Sequence, residues 1–133
     1  MDRPRTDDIE QPIALVVDDE PLIRMDTGDI LCDAGFHVVE ARTADEAFAF
    51  LERHPSLRLV FTDVQMPGDL DGFQLARLVA ERWPHVSVIV ASGAVRPGPG
   101  DLPDQAEFIN KPFTPQLVLD TVQRTMGALP AEL

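Results

Sequence analysis

Five short apolar runs, four of them followed by a stretch of helical periodicity, restrict this 133-residue chain more than any other feature of its sequence. Ile13–Val17 is continuously apolar, as expected for a strand buried on both faces. Phe36–Ala41 is more polar and reads as an edge strand, while Leu57–Thr62 and Val86–Ala91 are again nearly all apolar. Glu107–Asn110 is a short fifth run. Between them, Leu22, Ile23, Met25, Ile30 and Leu31 mark a helix from Pro21 to about Ala34, closed by Gly35. Thr43 reads as the cap of a second helix, with Glu46 three residues on completing a capping box, and Pro55 ends it. Asp71-Gly72 opens a third helix that runs to Pro84 on an apolar face of Phe73, Leu75, Ala76, Leu78 and Val79. A last helix is expected from Thr114 to about Met126. The fourth run is different. It is followed by Gly93–Pro103, whose glycines and prolines suit a helix poorly. Strands alternating with helices imply an α/β domain: one doubly wound, five-stranded parallel sheet covered on both faces. Ligands of such sheets bind beyond the carboxyl ends of the strands, where the strand order reverses.

Length and charge narrow the possible functions. The chain suffices for one domain with a real core, and its 44% hydrophobic and 26% charged residues are those of a soluble globular protein. No apolar run approaches the roughly 20 residues that span a bilayer. The polar segment Met1–Pro12 is neither signal peptide nor anchor, so residues 1–12 are expected to form a flexible tail and 129–133 a second one. A single cysteine, Cys32, permits no internal disulfide, and the cytoplasm is the expected location. The net charge of −12, with no basic cluster, argues against direct binding of nucleic acid. Ten of the eleven basic residues are arginines, so the one position that kept lysine, Lys111, is a place where an ammonium is needed.

The strand ends carry the chemistry. The first strand ends in Asp18-Asp19, the third in Asp63, the fourth in Ser92 and the fifth in Lys111-Pro112. Three carboxylates that close repel one another and recruit a cation. Oxygen ligands suit a hard divalent ion, and Mg²⁺ fits a site that also keeps waters and a phosphate. Zinc is not expected, because His37, His54 and His85 are scattered near element boundaries and read as surface residues. A carboxylate beside Mg²⁺ and facing a lysine can attack phosphorus to give an acyl phosphate. Asp63 is the candidate nucleophile, Asp18 and Asp19 the candidate metal holders, and Ser92 a donor to the new phosphoryl oxygen. Each piece alone has an ordinary reading as a strand passing into a solvated loop. Their order along the chain is what carries weight.

In this order the motifs resemble the receiver domain of two-component response regulators, over about Ile13 to Met126, with a domain expected at 13–128. The resemblance implies the flavodoxin-like strand order 2-1-3-4-5. It implies Mg²⁺ held by Asp18, Asp19, Asp63 and the backbone carbonyl of Gln65, and phosphorylation of Asp63. It also implies Ser92 as the switch hydroxyl, Lys111 as the partner lysine before a cis Pro112, and Phe108 as an aromatic that swings inward on phosphorylation. Two departures stand out. The family commonly reads D-x-x-M-P-x-M-D-G after the third strand, whereas here one extra residue separates Asp63 from Asp71-Gly72. Pro97, Pro99 and Pro103, with Gly93, Gly98 and Gly100, occupy the place of the family's fourth helix, which is therefore expected to be short or irregular.

The function expected from the resemblance is a stand-alone response regulator. It would be phosphorylated by a histidine kinase or phosphotransfer protein and would catalyse only its own phosphorylation and dephosphorylation. It would signal by contact with a downstream protein or act as a phosphate sink, because only about 20 residues follow Lys111. A receiver portion cut from a hybrid histidine kinase is the alternative. An aspartate-nucleophile phosphatase of the haloacid-dehalogenase type would want a second Asp where Gln65 stands. A flavodoxin-like electron carrier is disfavoured because Asp18-Asp19-Glu20 would repel a flavin phosphate, and a purely structural pseudo-receiver because every site residue is present.

Overall fold

The structure, a computed structural model, describes residues 11–130, so most of both expected tails lies outside the described residues. In chain order the elements are β1 (Ile13–Val17), α1 (Pro21–Asp33), β2 (His37–Ala41), α2 (Ala44–Arg53), β3 (Leu59–Asp63), α3 (Gly72–Arg82), β4 (Ser87–Ser92), β5 (Ala106–Asn110) and α4 (Pro115–Met126). All strand pairings are parallel, in the order β2-β1-β3-β4-β5. The order implied by resemblance is therefore the one found, with β3 at the centre and the more polar β2 at an edge.

Two apolar layers sandwich the sheet. On one face Leu15, Val60 and Val88 meet Ala47 and Leu51 of α2 and Val79 of α3. On the other, Val16, Phe61 and Ile89 meet Leu31 of α1 and Val118 and Val122 of α4. Alternate residues of each strand thus serve opposite layers, which is why the strand sequences are apolar throughout. Pro12 and Leu129 belong to the fold as well: the Pro12 carbonyl accepts the His37 amide at 2.9 Å, and Leu129 packs against the second layer. No described helix is long and apolar enough to cross a membrane.

Local chemistry sets the helix ends. Pro21 starts α1, and the left-handed Gly35 (φ 107°) turns the chain into β2. The Thr43 hydroxyl accepts the Glu46 amide as expected, but the Glu46 carboxylate reaches past the cap to the Arg42 amide at 2.8 Å. The reciprocal box forms instead at α3, between Asp71 and Gln74, both bonds at 2.8 Å. At the far end of α3, Trp83 caps the helix and is almost fully buried against Phe48, with the Arg82 guanidinium stacked over both rings.

Strand bounds shift by one or two residues from the sequence expectation. Leu57 and Val86 are taken by turns, their amides bonded to His54 and Trp83 carbonyls, so β3 and β4 start later and end on Asp63 and Ser92. No helix forms between β4 and β5. The segment 93–105 crosses the first layer as turns, with Val95 and Leu102 packed on the core beside Phe108.

Candidate functional site

Register brings the strand ends together. Asp63 pairs with Ala91, the residue before Ser92, and Ser92 pairs with Asn110, the residue before Lys111. Asp18 follows the β1 residue Val17, which pairs with Thr62. The crevice where β1 and β3 diverge, the point of reversal in the strand order, therefore collects Asp18, Asp19, Asp63 and Lys111.

Lys111 spans two of the carboxylates. Its Nζ is 3.0 Å from Asp18 Oδ2 and 3.3 Å from Asp63 Oδ1. The Lys111-Pro112 peptide is cis, as the resemblance implied. Asp18 is buried with both oxygens hydrogen-bonded, since its Oδ1 also accepts the Glu20 amide at 3.0 Å. Asp19 is exposed, and its carboxylate accepts no hydrogen bond from any described residue. Asp18, Asp19 and Asp63 each offer an oxygen, and the three atoms lie within 4.8 Å of one another. Among the described residues this is the one group of acidic, histidine or cysteine side chains gathered closely enough to hold a metal. An all-oxygen donor set with an unpaired carboxylate fits Mg²⁺ and not zinc. His37, His54 and His85 are all exposed and away from it.

Burial raises the Asp63 pKa above the ordinary carboxylate value. The Lys111 ammonium pulls it down, Asp18 pushes it up, and a 2.8 Å bond from the Val64 amide to Oδ1 lowers it again. The net direction is upward because burial outweighs the favourable contact with Lys111. A divalent cation would lower it.

Ser92 is buried, and its Oγ accepts the amides of Ala94 (3.3 Å) and Val95 (3.0 Å). Phe108 is half-buried on the first layer, its ring centroid 6.4 Å from that of buried Phe73 in α3. Gln65 is exposed in the loop that follows Asp63.

Several residues that shape the site had no role in the sequence reading. Arg24 donates to the Asp18 carbonyl at 2.8 Å and to Glu40 at 2.7 Å, fixing the backbone at the end of β1. The Thr62 hydroxyl donates to the Asp63 carbonyl at 2.8 Å. Gly72 lies against the backbone of Asp63, where a Cβ would overlap the carbonyl oxygen. The Asp71-Gly72 pair could have signalled that close approach, but Arg24 and Thr62 carry no mark in the sequence.

Comparison with known proteins agrees with this geometry. The family model described as the response regulator receiver domain matches residues 14–123. The response regulator protein FleR of Pseudomonas aeruginosa is 37% identical over 120 residues, 87% of this chain and 25% of FleR. The response regulator receiver protein CpdR of Brucella abortus is 29% identical over 117 residues, 86% of this chain and 96% of CpdR. A solved response regulator receiver protein from Sinorhizobium medicae superimposes with a TM-score of 0.78 at 26% identity, over 90% of this chain and 98% of that one. The chain spans about a quarter of the length of the first curated relatives it matches.

Proposed function

The chain belongs to the response regulator receiver domain family, and from that premise we propose that it is a Mg²⁺-dependent phosphorylation switch with Asp63 as its phosphoacceptor. Receiver domains interact with histidine kinases or phosphotransfer proteins, so the donor in this reading is a phosphohistidine on such a protein. An Asp63 carboxylate oxygen attacks phosphorus as the bond to the imidazole nitrogen breaks, and the imidazole leaves with that electron pair. The product is an acyl phosphate on Asp63, which water later cleaves to restore the carboxylate. Asp18, Asp19, Asp63 and the Gln65 carbonyl would hold Mg²⁺, which would supply charge neutralisation on the transferring oxygens. Lys111 exchanges its ion pair with Asp63 for one with the phosphoryl group. The Ser92 hydroxyl donates to a phosphoryl oxygen, and Phe108 moves inward as the segment 93–105 rearranges.

The observation that carries this reading is the position of Asp63. It ends the central strand, 3.3 Å from the chain's one lysine and beside two further carboxylates. We read the domain as working without an attached output module, as its likeness to CpdR over nearly that protein's whole length supports. Output is then contact with a downstream protein, or removal of phosphoryl groups from the kinase. We assign it to the cytoplasm, and the net charge of −12 supports a role without direct nucleic-acid contact. Incubation with Mg²⁺ and a small phosphodonor, followed by intact mass measurement, is expected to add one phosphate to the wild type and none to Asp63→Asn. An unchanged addition in Asp63→Asn would remove Asp63 from the mechanism.

A further inference from the structure

The loop 64–71 joins the phosphoacceptor strand to α3, and its two ends are held differently from its tip. At the base, the Gly72 amide donates to the Val64 carbonyl at 2.9 Å, and Gly72 itself lies flush against Asp63. Met66 and Leu70 pack on the first apolar layer. The tip, Gly68-Asp69, is exposed, and its one polar contact among the described residues is with another element altogether. Asp45, in the first turn of α2, accepts the Asp69 amide on its Oδ2 at 2.8 Å. Gly68 has φ +115°, and a Cβ there would overlap that same Asp45 oxygen. Loop and carboxylate therefore fit one another from both sides, and only glycine admits the contact.

We propose that Asp45 is a positioning residue for the site: by holding the tip of the loop to α2 it sets the direction of the Gln65 carbonyl toward the metal. This rests on the reading of Asp18, Asp19, Asp63 and Gln65 as the Mg²⁺ site. Gln65 is the second residue after Asp63, between the fixed base and the clamped tip, and it has no side-chain bond of its own among the described residues. Its carbonyl orientation is thus set through its neighbours Val64 and Met66, packed on the first apolar layer, and beyond them through the clamped tip. A carbonyl ligand contributes only when it is aimed at the ion, and residues that orient metal ligands from outside commonly change affinity by an order of magnitude or more. Asp45 touches neither the metal oxygens nor the phosphoryl site. Its action runs entirely through the backbone of the loop.

The test compares wild type, Asp45→Ala, Asp45→Asn and Gly68→Ala, each checked for folding by circular dichroism. Mg²⁺ affinity is read by calorimetric titration, and exchange of the Asp69 amide by NMR. Asp45→Ala is expected to lose on the order of tenfold in Mg²⁺ affinity and to exchange the Asp69 proton faster. Its phosphorylation by a small donor should need more Mg²⁺ but reach the wild-type rate at saturation. Asn presents an equivalent acceptor oxygen, so Asp45→Asn is expected to restore both readouts, which a merely electrostatic effect at the α2 terminus would not do. Gly68→Ala disrupts the same contact from the loop side, and the double variant with Asp45→Ala should be no worse than either single one. Wild-type Mg²⁺ affinity in folded Asp45→Ala, or an Asn variant as impaired as the Ala variant, would overturn the proposal. Should the wild type bind no Mg²⁺, the functional reading falls and this proposal with it, whereas slow Asp69 exchange would still establish the clamp.

Discussion

Gly72 stands against Asp63 with no room for a side chain: a Cβ on Gly72 would overlap the Asp63 carbonyl oxygen and lie 2.9 Å from its carbon and from Val64 Cα. Backbone on both sides cannot yield as a flexible side chain can, so the start of α3 and the end of β3 are fixed relative to one another. Gly72→Ala is therefore expected to destabilise the domain by about 1–3 kcal/mol, the usual range for overpacking, and to slow acyl-phosphate formation. Urea unfolding and phosphorylation by a small donor measure the two effects.

The raised Asp63 pKa has a defined sign for stability. A carboxylate whose folded-state pKa lies above its unfolded value contributes stability that is present below the unfolded value, about 3.9 for Asp, and lost as pH rises through the folded one. Ionised Asp63 thus weighs against the metal-free fold at neutral pH. Asp63→Asn should melt higher than wild type at pH 7 without Mg²⁺, and the gain should vanish below about pH 3.9. Saturating Mg²⁺ should raise the wild-type midpoint and leave the variant nearly unmoved.

Asp18 and Asp19 are adjacent but differently occupied. Asp18 already serves Lys111 and the Glu20 amide, while the Asp19 carboxylate is uncommitted among the described residues. Asp19→Ala is expected to weaken Mg²⁺ binding more than Asp18→Ala does, with little change in thermal midpoint. Asp18→Ala should instead cost stability, because it removes one of the two partners of a largely buried Lys111. Metal titration paired with melting curves separates the two losses.

Ser92 accepts the Ala94 and Val95 amides through the oxygen that the proposed mechanism turns toward the phosphoryl group. Binding of beryllofluoride, an acyl-phosphate mimic, should free both amides and accelerate their hydrogen exchange, with changes continuing toward Glu107. The far part of the segment is held by Arg77, which donates to the Asp101 carbonyl at 3.0 Å, and by Asp101, whose carboxylate accepts the Gly98 amide. Arg77→Ala is expected to raise basal exchange there at a cost of no more than about 1 kcal/mol in global stability, as for an exposed pair. Unchanged exchange from 94 to 107 with the mimic would direct the signal through another face.

The parts of this structure that were legible in the sequence are those written in strong local chemistry. Buried parallel strands need apolar residues on both faces, so β1, β3 and β4 were visible as runs, and the site followed from which residues end them. Prolines without amides forecast a short or irregular helix between β4 and β5, and the structure goes further, with no helix there. Strand limits were less legible, because Leu57 and Val86 are apolar for the sake of turns buried in the core, not of strands. Contacts between distant segments left no local trace: Asp45 with Asp69 spans 24 residues, and Lys111 with Asp18 spans 93. The lysine was found because it ends the fifth strand and is alone in an arginine-rich chain. Asp45 had no such distinction.

Trp83, the one tryptophan, closes the opposite end of α3 from Gly72. Eleven helical residues separate the two ends by about 16 Å, and the indole is buried against Phe48 rather than near any residue of the site. Its emission is therefore an optical gauge of whether the domain is folded, with little sensitivity to cation or phosphoryl group. Unfolding and switching can be followed separately in one sample, by light for the first and by amide exchange for the second.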